Sequence, residues 1–392
     1  MKKSISILGS TGSIGSTVFK IIDKKKNNFK IDILSANKNI KIILKQIKKY
    51  KPKYFIVNNK KSFLKIKKNY SNKKTKIFNN FDSVKINKKS DICVSAIPGI
   101  AGLEPTILMI SNSKKILIAN KESIICGWNI IKQKAKKNNT KIIPVDSEHF
   151  SIMKLFENHK IEEIDKVFIT ASGGPFLNYK LKQFNHIKPS DALKHPKWKM
   201  GKKVTIDSST MMNKLLEIIE AQKLFNIPNN KIDILIHPNS LVHAIVKLKN
   251  GLVKFIYHET SMIIPITNAI FDGQLNIRDF YRPSENKKIG TIKNLHFEKV
   301  NKNIFPMVNL KNKINQYPST SIIINAANEI LVDQFLLKKI PFLAIYKIIM
   351  TILNDRNYKK YAIRKPKNIR QIIEIDTWAK TKTLNRIKLK YE

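Results

Sequence analysis

The segment Asp146-Ser147-Glu148 directly follows the apolar run 142–145 and brings two carboxylates close together. If the run is a strand, its side chains alternate between two faces, so Asp146 and Glu148 should point the same way. Paired carboxylates repel each other unless a cation lies between them, and Mg²⁺ or Mn²⁺ prefers oxygen ligands of this kind. The solvated end of a strand would have the same composition. A metal site and a plain strand end therefore both remain open.

A third carboxylate comes from the run 204–217, which contains several hydroxyl residues followed by apolar ones. The hydroxyl residues predict the start of a helix that runs from Met211 to about Phe225. Asn213 and Glu217 are four residues apart, so they share one face of this helix. Glu217 would complete a three-carboxylate metal site with the acidic pair. The alternative is a capped surface helix.

The same run also predicts a phosphate site. Ser208 lies at the amino end of the predicted helix, and Asn213 and Lys214 follow one turn later. Hydroxyl, amide and ammonium groups together can bind a phosphate.

The beginning of the chain has the pattern of a dinucleotide-binding unit. An apolar stretch over 4–8, a glycine-rich turn over 9–15 and a helical pattern over 16–22 follow one another. Glycines let the backbone approach a pyrophosphate, and a helix start offers free N–H groups. The spacing G-x-x-G-x-x-G differs from the commoner G-x-G-x-x-G, so a plain tight turn is the alternative. After a second strand over 31–34, Lys38 and the absence of an acidic residue favour NADPH over NADH.

Further strands are predicted over 54–57, 92–96, 116–119 and 142–145, with helical or loop segments between them. This alternation indicates an α/β fold with a Rossmann-like, doubly wound parallel sheet. Such sheets bind ligands at the carboxyl ends of their strands. The loop after 116–119 carries Lys121, and the loop after 142–145 carries the acidic pair, so both should lie on the cofactor's side.

Two later loops also have the composition of ligand-binding segments. Residues 170–176 contain Ser172 and two glycines, whose N–H groups suit an anion, although a bare turn is the alternative. Residues 195–201 combine proline, tryptophan and methionine. This second loop is interpreted as a flap over a ligand or as a buried connection.

The remaining elements complete the domain organisation. Alternating patterns over 241–248 and 252–257 around Asn250-Gly251 predict a hairpin whose sheet face suits a subunit contact. His243 and His258 within it are interpreted as structural. Helical patterns over 321–337, 341–353 and 369–385 predict a C-terminal helical bundle. We expect an NADPH-binding domain over 1–146, an α+β catalytic and dimerisation domain over 147–275, a linker over 276–303 and a helical domain over 304–392.

Composition limits the possible partners. The formal charge of +46 comes from 74 basic and 28 acidic residues. The lysines are spread along the whole chain together with isoleucine and asparagine, as A/T-rich codons produce, whereas a nucleic-acid surface should cluster. We therefore expect no nucleic-acid partner. No apolar run reaches the ~18 residues of a membrane span, so no membrane partner is expected either. Two cysteines without metal-binding spacing favour a reducing cytoplasm.

A set of ordered motifs from residue 1 to about 375 resembles the 1-deoxy-D-xylulose 5-phosphate reductoisomerase family. The motifs are Gly9-Ser-Thr-Gly-Ser-Ile-Gly15, Ala119-Asn-Lys-Glu-Ser123, Pro144-Val-Asp-Ser-Glu-His149, Ser172-Gly-Gly-Pro-Phe176, Asp207-Ser208, Thr210-Met-Met-Asn-Lys214, Glu217, His237-Pro238 and Asn325-Ala-Ala-Asn-Glu329. The resemblance implies NADPH- and metal-dependent rearrangement and reduction of 1-deoxy-D-xylulose 5-phosphate to 2-C-methyl-D-erythritol 4-phosphate, for isoprenoid precursors, by a homodimer.

The resemblance also implies roles for individual residues. The catalytic residues would be Lys121, Asp146, Glu148 and Glu217, and the last three would hold Mg²⁺, Mn²⁺ or Co²⁺. The substrate would contact Ser147, Glu148, Ser172, His195, Trp198, Ser208, Asn213, Lys214 and Glu217, with Met200 also in the flap. The cofactor would contact Thr11, Gly12, Ser13, Ile14, Asn37, Lys38, Asn39, Asn120, Lys121, Glu122 and Gly201.

The sequence departs from the family pattern at a few positions. Asn37 stands in place of a usual glycine, Lys197 in place of an asparagine and Leu215 in place of a glycine. The segment 259–265 lacks the charged pair often found around Met262. These departures bear on flap motion and cofactor affinity, and none removes a group that the reaction needs. Another NADPH-dependent dehydrogenase acting on a phosphorylated sugar is the alternative.

Overall fold

The structure is a computed structural model, and it describes residues 2–70, 74–281 and 295–391. The chain forms two compact units. The first comprises Met1–Ser123, Asn129–Phe150 and Ser261–Ile289, and the second comprises Ile124–Trp128, Ser151–Thr260 and Gly290–Glu392. The division into four domains given above stays a prediction.

The strands are numbered in chain order. They are β1 (Lys3–Leu8), β2 (Phe29–Ala36), β3 (Tyr54–Val57), β4 (Lys76–Phe78), β5 (Ser90–Ser95), β6 (Ser113–Ile118), β7 (Lys141–Pro144), β8 (Ile164–Ala171), β9 (Ile232–Ile236), β10 (Val242–Leu248), β11 (Val253–Tyr257) and β12 (Glu298–Lys299).

The α-helices are numbered in the same way. They are α1 (Ser13–Lys24), α2 (Ile40–Tyr50), α3 (Lys60–Asn69), α4 (Leu103–Ser111), α5 (Lys121–Asn138), α6 (Ser147–Leu155), α7 (Pro189–Ala192), α8 (Lys202–Ser209), α9 (Met212–Phe225), α10 (Ile263–Phe271), α11 (Thr320–Leu336), α12 (Ala344–Leu353), α13 (Tyr358–Ala362) and α14 (Ile369–Tyr391).

The first unit is built on a parallel sheet with the strand order β4-β3-β2-β1-β5-β6-β7. Its central strands are buried runs of isoleucine, leucine and valine, as expected where helices cover both faces of a parallel sheet. The strand order reverses between β1 and β5, which is where such folds bind ligands. The Rossmann-like prediction is confirmed, and the short β4 was not predicted.

The second unit contains a mixed sheet with the strand order β11-β10-β8-β9-β12. β8 and β9 run parallel, and the other neighbours are antiparallel. β10 and β11 form the predicted hairpin, with Gly251 at φ 90° in its turn. Part of the predicted linker, residues 282–294, lies outside the described residues, and Glu298–Lys299 pairs with β9 as an edge strand.

Helices α11, α12 and α14 pack together in the second unit and bury the apolar faces that the sequence indicated. Among the helices of the described residues, none combines the length and apolar character that a membrane span requires. Cys93 and Cys126 are buried and form no disulfide.

Candidate active site

The glycine-rich turn after β1 leads directly into α1, as predicted for a dinucleotide site. Gly12 lies at the amino end of α1, where, among the described residues, no side chain caps the helix. A Cβ at Gly9 would lie 2.5 Å from the Ala96 carbonyl oxygen, whereas a Cβ at Gly12 would meet only the Gly9 oxygen, at 3.4 Å. Gly9 is therefore required for packing within the protein. At Gly12, by contrast, the backbone is open for a ligand to approach.

The other predicted cofactor residues of the first unit lie at the same edge of the sheet. Asn37, Lys38 and Asn39 are exposed directly after β2, and Asn39 caps α2. Asn120, Lys121 and Glu122 follow β6 at the start of α5. Gly201 belongs to the second unit, where it precedes α8. The first-unit residues thus lie at the carboxyl ends of three strands of the parallel sheet, β1, β2 and β6.

The acidic pair corrects one sequence-based expectation. β7 ends at Pro144 and α6 begins at Ser147, so Asp146 and Glu148 are not alternating residues of one strand. The Asp146 carbonyl instead accepts the Phe150 N–H at 2.8 Å, which starts the helix. The two side chains still offer carboxylate oxygens within 4.8 Å of each other. A helix start brought them together, and its dipole favours negative charge.

Lys121 and Ser147 contact this acidic pair. The Lys121 ammonium lies 3.0 Å from Asp146 Oδ2, and the Ser147 hydroxyl donates to Glu148 Oε2 at 2.6 Å. Glu148 is buried, and 23% of the Asp146 side chain is exposed. Two carboxylates with an ammonium group beside them fit a site for a hard divalent cation.

His149 had no assigned role in the sequence-based reasoning. It is fully buried in α6, and its Nδ1 lies 3.9 Å from Asp146 Oδ2. The available signal was its spacing of three residues from Asp146, which places both on one face where a helix begins.

In the second unit, the glycine loop after β8 meets the predicted flap. Ser172 Oγ lies 3.1 Å from His195 Nε2, and His195 Nδ1 accepts the Trp198 N–H at 2.9 Å. Because Nδ1 accepts, the proton of the neutral ring is assigned to Nε2. Burial, reinforced by the Lys214 charge, lowers the pKa of His195 to about 4. His195 is therefore neutral at physiological pH.

The flap segment also packs against the sheet of the second unit. The Trp198 ring lies edge-on to His243, with centroids 6.0 Å apart, and His243 stacks on His258 at 3.9 Å. Met200 is half-buried and precedes the exposed Gly201.

The run 204–217 forms two helices, which corrects the predicted single helix start. Ser208 lies in the last turn of α8, and Met211 turns the chain into α9 with φ 64°. The hydroxyl residues therefore end one helix before the next begins. The predicted helix to Phe225 is confirmed as α9.

Asn213, Lys214 and Glu217 lie together on α9, as their spacing predicted. Glu217 accepts hydrogen bonds from the Asn213 amide and from the Lys214 ammonium, the latter at 2.7 Å. All three are buried, and Glu217 is only 1% exposed. A Cβ at Gly174 would lie 3.2 Å from the backbone carbonyl oxygen of Ser208, so the glycine loop packs against the end of α8. Hydroxyl, imidazole, amide and ammonium groups are thus gathered in one part of this unit.

Comparison with known proteins gives the family. The model described as 1-deoxy-D-xylulose 5-phosphate reductoisomerase matches residues 5–127, and two models for C-terminal domains of that enzyme match residues 142–225 and 259–382. A protein of that name from Pelagibacter ubique (strain HTCC1062) is 47% identical over 385 residues, covering 97% of this chain and 98% of the relative. This chain belongs to the 1-deoxy-D-xylulose 5-phosphate reductoisomerase family.

A more distant relative and two solved structures agree with this membership. The reductoisomerase of Clostridium novyi (strain NT) is 38% identical and covers 99% of both chains. A reductoisomerase crystal structure in complex with NADPH, fosmidomycin and magnesium is 29% identical, has a TM-score of 0.90 and covers 99% of this chain and 98% of that one. The Zymomonas mobilis enzyme in complex with NADPH is 30% identical, has a TM-score of 0.88 and covers 99% of both chains.

Proposed function

We propose that this protein rearranges and reduces 1-deoxy-D-xylulose 5-phosphate to 2-C-methyl-D-erythritol 4-phosphate, with NADPH and a divalent metal, to supply isoprenoid precursors. The observation that carries the proposal is membership in the reductoisomerase family, with a relative matched over 97% of this chain. Related structures of the family contain NADPH and magnesium. The acidic pair at the carboxyl edge of a Rossmann-like sheet supports the same chemistry.

We propose Asp146, Glu148 and Glu217 as the metal ligands. Each offers carboxylate oxygens, which hard divalent cations prefer. When bound, the metal would act as a Lewis acid that polarises the substrate's oxygens. Lys121, 3.0 Å from Asp146, would orient that carboxylate, and would hold or move a proton at a substrate hydroxyl.

NADPH would bind at the carboxyl edge of the parallel sheet. Its pyrophosphate would lie on the open backbone around Gly12 and on the N–H groups of Ser13 and Ile14 at the start of α1. Lys38, exposed after β2, would pair with the 2′-phosphate.

The substrate phosphate would bind in the second unit. Ser172, Ser208, Asn213 and Lys214 offer hydroxyl, amide and ammonium donors for it. The phosphate would replace Glu217 as a partner of Lys214 and so leave the Glu217 carboxylate for the metal. The neutral His195 would donate from Nε2 without adding charge. Because this phosphate is remote from the reacting carbons, its binding energy would position the substrate and close the 195–201 flap against water.

The first experiment is NADPH oxidation with 1-deoxy-D-xylulose 5-phosphate, followed by identification of the product's carbon skeleton. We expect a branched product, loss of turnover with EDTA and recovery with Mg²⁺ or Mn²⁺. An unbranched product would favour a simple sugar-phosphate dehydrogenase, and undiminished turnover after thorough chelation would contradict the metal assignment.

The variant Glu217→Gln tests the third metal ligand. We expect turnover to fall at least ~100-fold because the ligand charge is lost, with the Kd for NADPH unchanged. Glu157→Gln serves as the charge-matched control, because Glu157 is exposed and pairs with Lys154 at the surface. Full activity of Glu217→Gln would remove Glu217 from the metal site.

We also propose that the protein is a cytoplasmic homodimer. The two buried cysteines form no disulfide, which supports a reducing compartment. The exposed apolar side chains of the edge strand β11 support a subunit contact.

A further inference from the structure

Asp207 and the segment 325–329 belong to family motifs, but the proposed function assigns them no role. The structure joins them, because the Asn328 amide donates to Asp207 Oδ1 at 2.8 Å. We infer that Asp207 is a positioning residue for substrate phosphate: it fixes the last turn of α8 against α11 and thereby sets where the Ser208 hydroxyl lies. The inference rests on the proposed function, because the contact of Ser208 with phosphate is itself proposed.

Both oxygens of the Asp207 carboxylate have partners. Oδ2 lies 2.7 Å from the ammonium of Lys203, one turn earlier on α8, and Oδ1 accepts from Asn328. Asp207 is 1% exposed and Asn328 is fully buried. A buried carboxylate with charged and amide partners is costly to disturb, because any lost partner leaves a polar group without water. The contact is therefore strong enough to hold a helix end.

The other side of this contact is also fixed. Glu329, next to Asn328 on α11, lies 2.8 Å from the Lys380 ammonium of α14, which also pairs with Asp376 at 3.0 Å. The α11 helix that holds Asp207 is thus tied to the last helix of the chain. The C-terminal helices would thus help to position Ser208 for the proposed reaction.

The end of α8 also packs against the glycine loop after β8. A Cβ at Gly174 would come within 3.2 Å of the backbone carbonyl oxygen of Ser208. Met211, 1% exposed, holds the left-handed φ of 64° just after α8, a strained conformation that only firm surroundings maintain. Asp207 and Ser208 are successive helix residues about 100° apart around the axis. Directing Asp207 toward α11 therefore fixes the direction of Ser208.

The test is a swap of the two side chains. Asp207→Asn removes the carboxylate, and we expect KM for 1-deoxy-D-xylulose 5-phosphate and Ki for inorganic phosphate, used as a competitive inhibitor, to rise about tenfold. We expect kcat to change less than threefold and the Kd for NADPH to stay the same. In Asp207→Asn/Asn328→Asp, amide and carboxylate exchange places, and we expect at least half of the increase in log KM to be reversed.

Asp165→Asn is the matched control, because Asp165 also pairs with a lysine, Lys247, but both side chains are about half exposed. The inference is wrong if Asp207→Asn lowers Tm but leaves KM and Ki unchanged. It is also wrong if inorganic phosphate inhibits neither the wild type nor Asp207→Asn. If Asp207→Asn does not fold, the partly exposed Lys203→Gln replaces it. A smaller rise in KM and Ki then supports the inference, and unchanged values overturn it.

The two proposals can fail separately. A wild-type protein that does not convert 1-deoxy-D-xylulose 5-phosphate would contradict the proposed function. Calorimetric titration of wild type and Asp207→Asn with inorganic phosphate would still measure the positioning effect: weaker binding in the variant supports it, and equal binding overturns it.

Discussion

Gly9 and Gly12 lie three residues apart in one turn, and the structure gives them different tasks. Gly9 has φ 80°, and a Cβ there would clash with the Ala96 carbonyl at 2.5 Å. We expect Gly9→Ala to destabilise the protein by at least ~2 kcal/mol, since strain and clash add. Gly12→Ala has room for its Cβ, so we expect nearly unchanged Tm. We expect the Kd for NADPH to rise about tenfold, because the added Cβ would lie where the pyrophosphate approaches the backbone. Thermal melts and NADPH titration distinguish the two.

Gly251→Ala is a control for the Gly9 substitution, because Gly251 has φ 90° but open space around its Cβ. It isolates the cost of the backbone conformation from the cost of the clash. Equal Tm values for Gly9→Ala and Gly251→Ala would show that the contact with Ala96 contributes nothing. Unchanged NADPH affinity in Gly12→Ala would contradict a pyrophosphate at this turn.

His195 makes stability depend on pH in a defined direction. Its pKa is lowered from the ordinary 6.5 to about 4 because burial, then the Lys214 charge, disfavours the imidazolium. Between these values the unfolded chain binds a proton that the folded protein does not, so acid lowers the free energy of unfolding. Above pH 6.5 both states are neutral at this residue and its titration contributes nothing. We expect His195→Gln to flatten the fall of Tm between pH 7 and pH 4.

The exposed His186→Gln is the control for this pH dependence. It should leave the slope of Tm against pH as in wild type. A His195→Gln protein that loses Tm with acid as steeply as wild type would mean that His195 is protonated in the folded state.

At the scale of elements, Asn120 joins a helix to a neighbouring loop. Its Oδ1 caps α5 by accepting the Ser123 N–H at 2.6 Å, and its amide donates to the carbonyls of Ile97 and Gly99. We expect Asn120→Ala to cost ~2–4 kcal/mol, because a helix cap and hydrogen bonds to two partly buried carbonyls are lost together. Urea unfolding measures this, with Asn39→Ala, an exposed cap on α2, expected to cost only about 1 kcal/mol. Equal costs would show that the loop contacts add nothing.

Most elements could be predicted because their hydrophobic pattern and their burial agree. The buried runs 54–57 and 232–236 are strands with the expected ends. α8 was missed because Val204, Thr205 and Ile206 are β-branched residues with low helix propensity. Burial of Ile206 and Asp207 against the rest of the second unit outweighs that local preference. β4 has three residues, too few for a detectable pattern.

The candidate site could be predicted where its residues are close in sequence. The spacing of Asn213 and Glu217 determined their shared face, and the helix confirmed it. The grouping of Asp146 with Glu148 came from a strand pattern, whereas a helix start produces it. The contact between Asp207 and Asn328 spans 121 residues, and no local spacing indicates such a pair.

At the scale of the whole molecule, the charge of +46 would drive copies of this chain apart unless a favourable surface joins them. The edge strand β11 offers one, because Val253, Phe255 and Tyr257 alternate with polar or half-buried residues and are 55%, 46% and 38% exposed. Exposed apolar side chains on an edge strand are a common place for subunits to meet. This is the surface that we assign to the proposed homodimer.

The variant Phe255→Glu places a charge in the middle of that surface and tests the assignment. We expect the wild type to have the mass of a dimer in light scattering after size-exclusion chromatography, and Phe255→Glu to shift to a monomer with an unchanged far-ultraviolet circular dichroism spectrum. The control is Leu389→Glu, because Leu389 is 81% exposed on α14 and far from β11 in sequence, and it should remain a dimer. A dimeric Phe255→Glu would exclude β11 as the contact, and a monomeric wild type would contradict the homodimer itself.

Since repulsion between the lysine-rich subunits weakens as salt screens it, the dimer should tighten between 0.05 and 0.5 M salt, roughly as the Debye length falls below 10 Å.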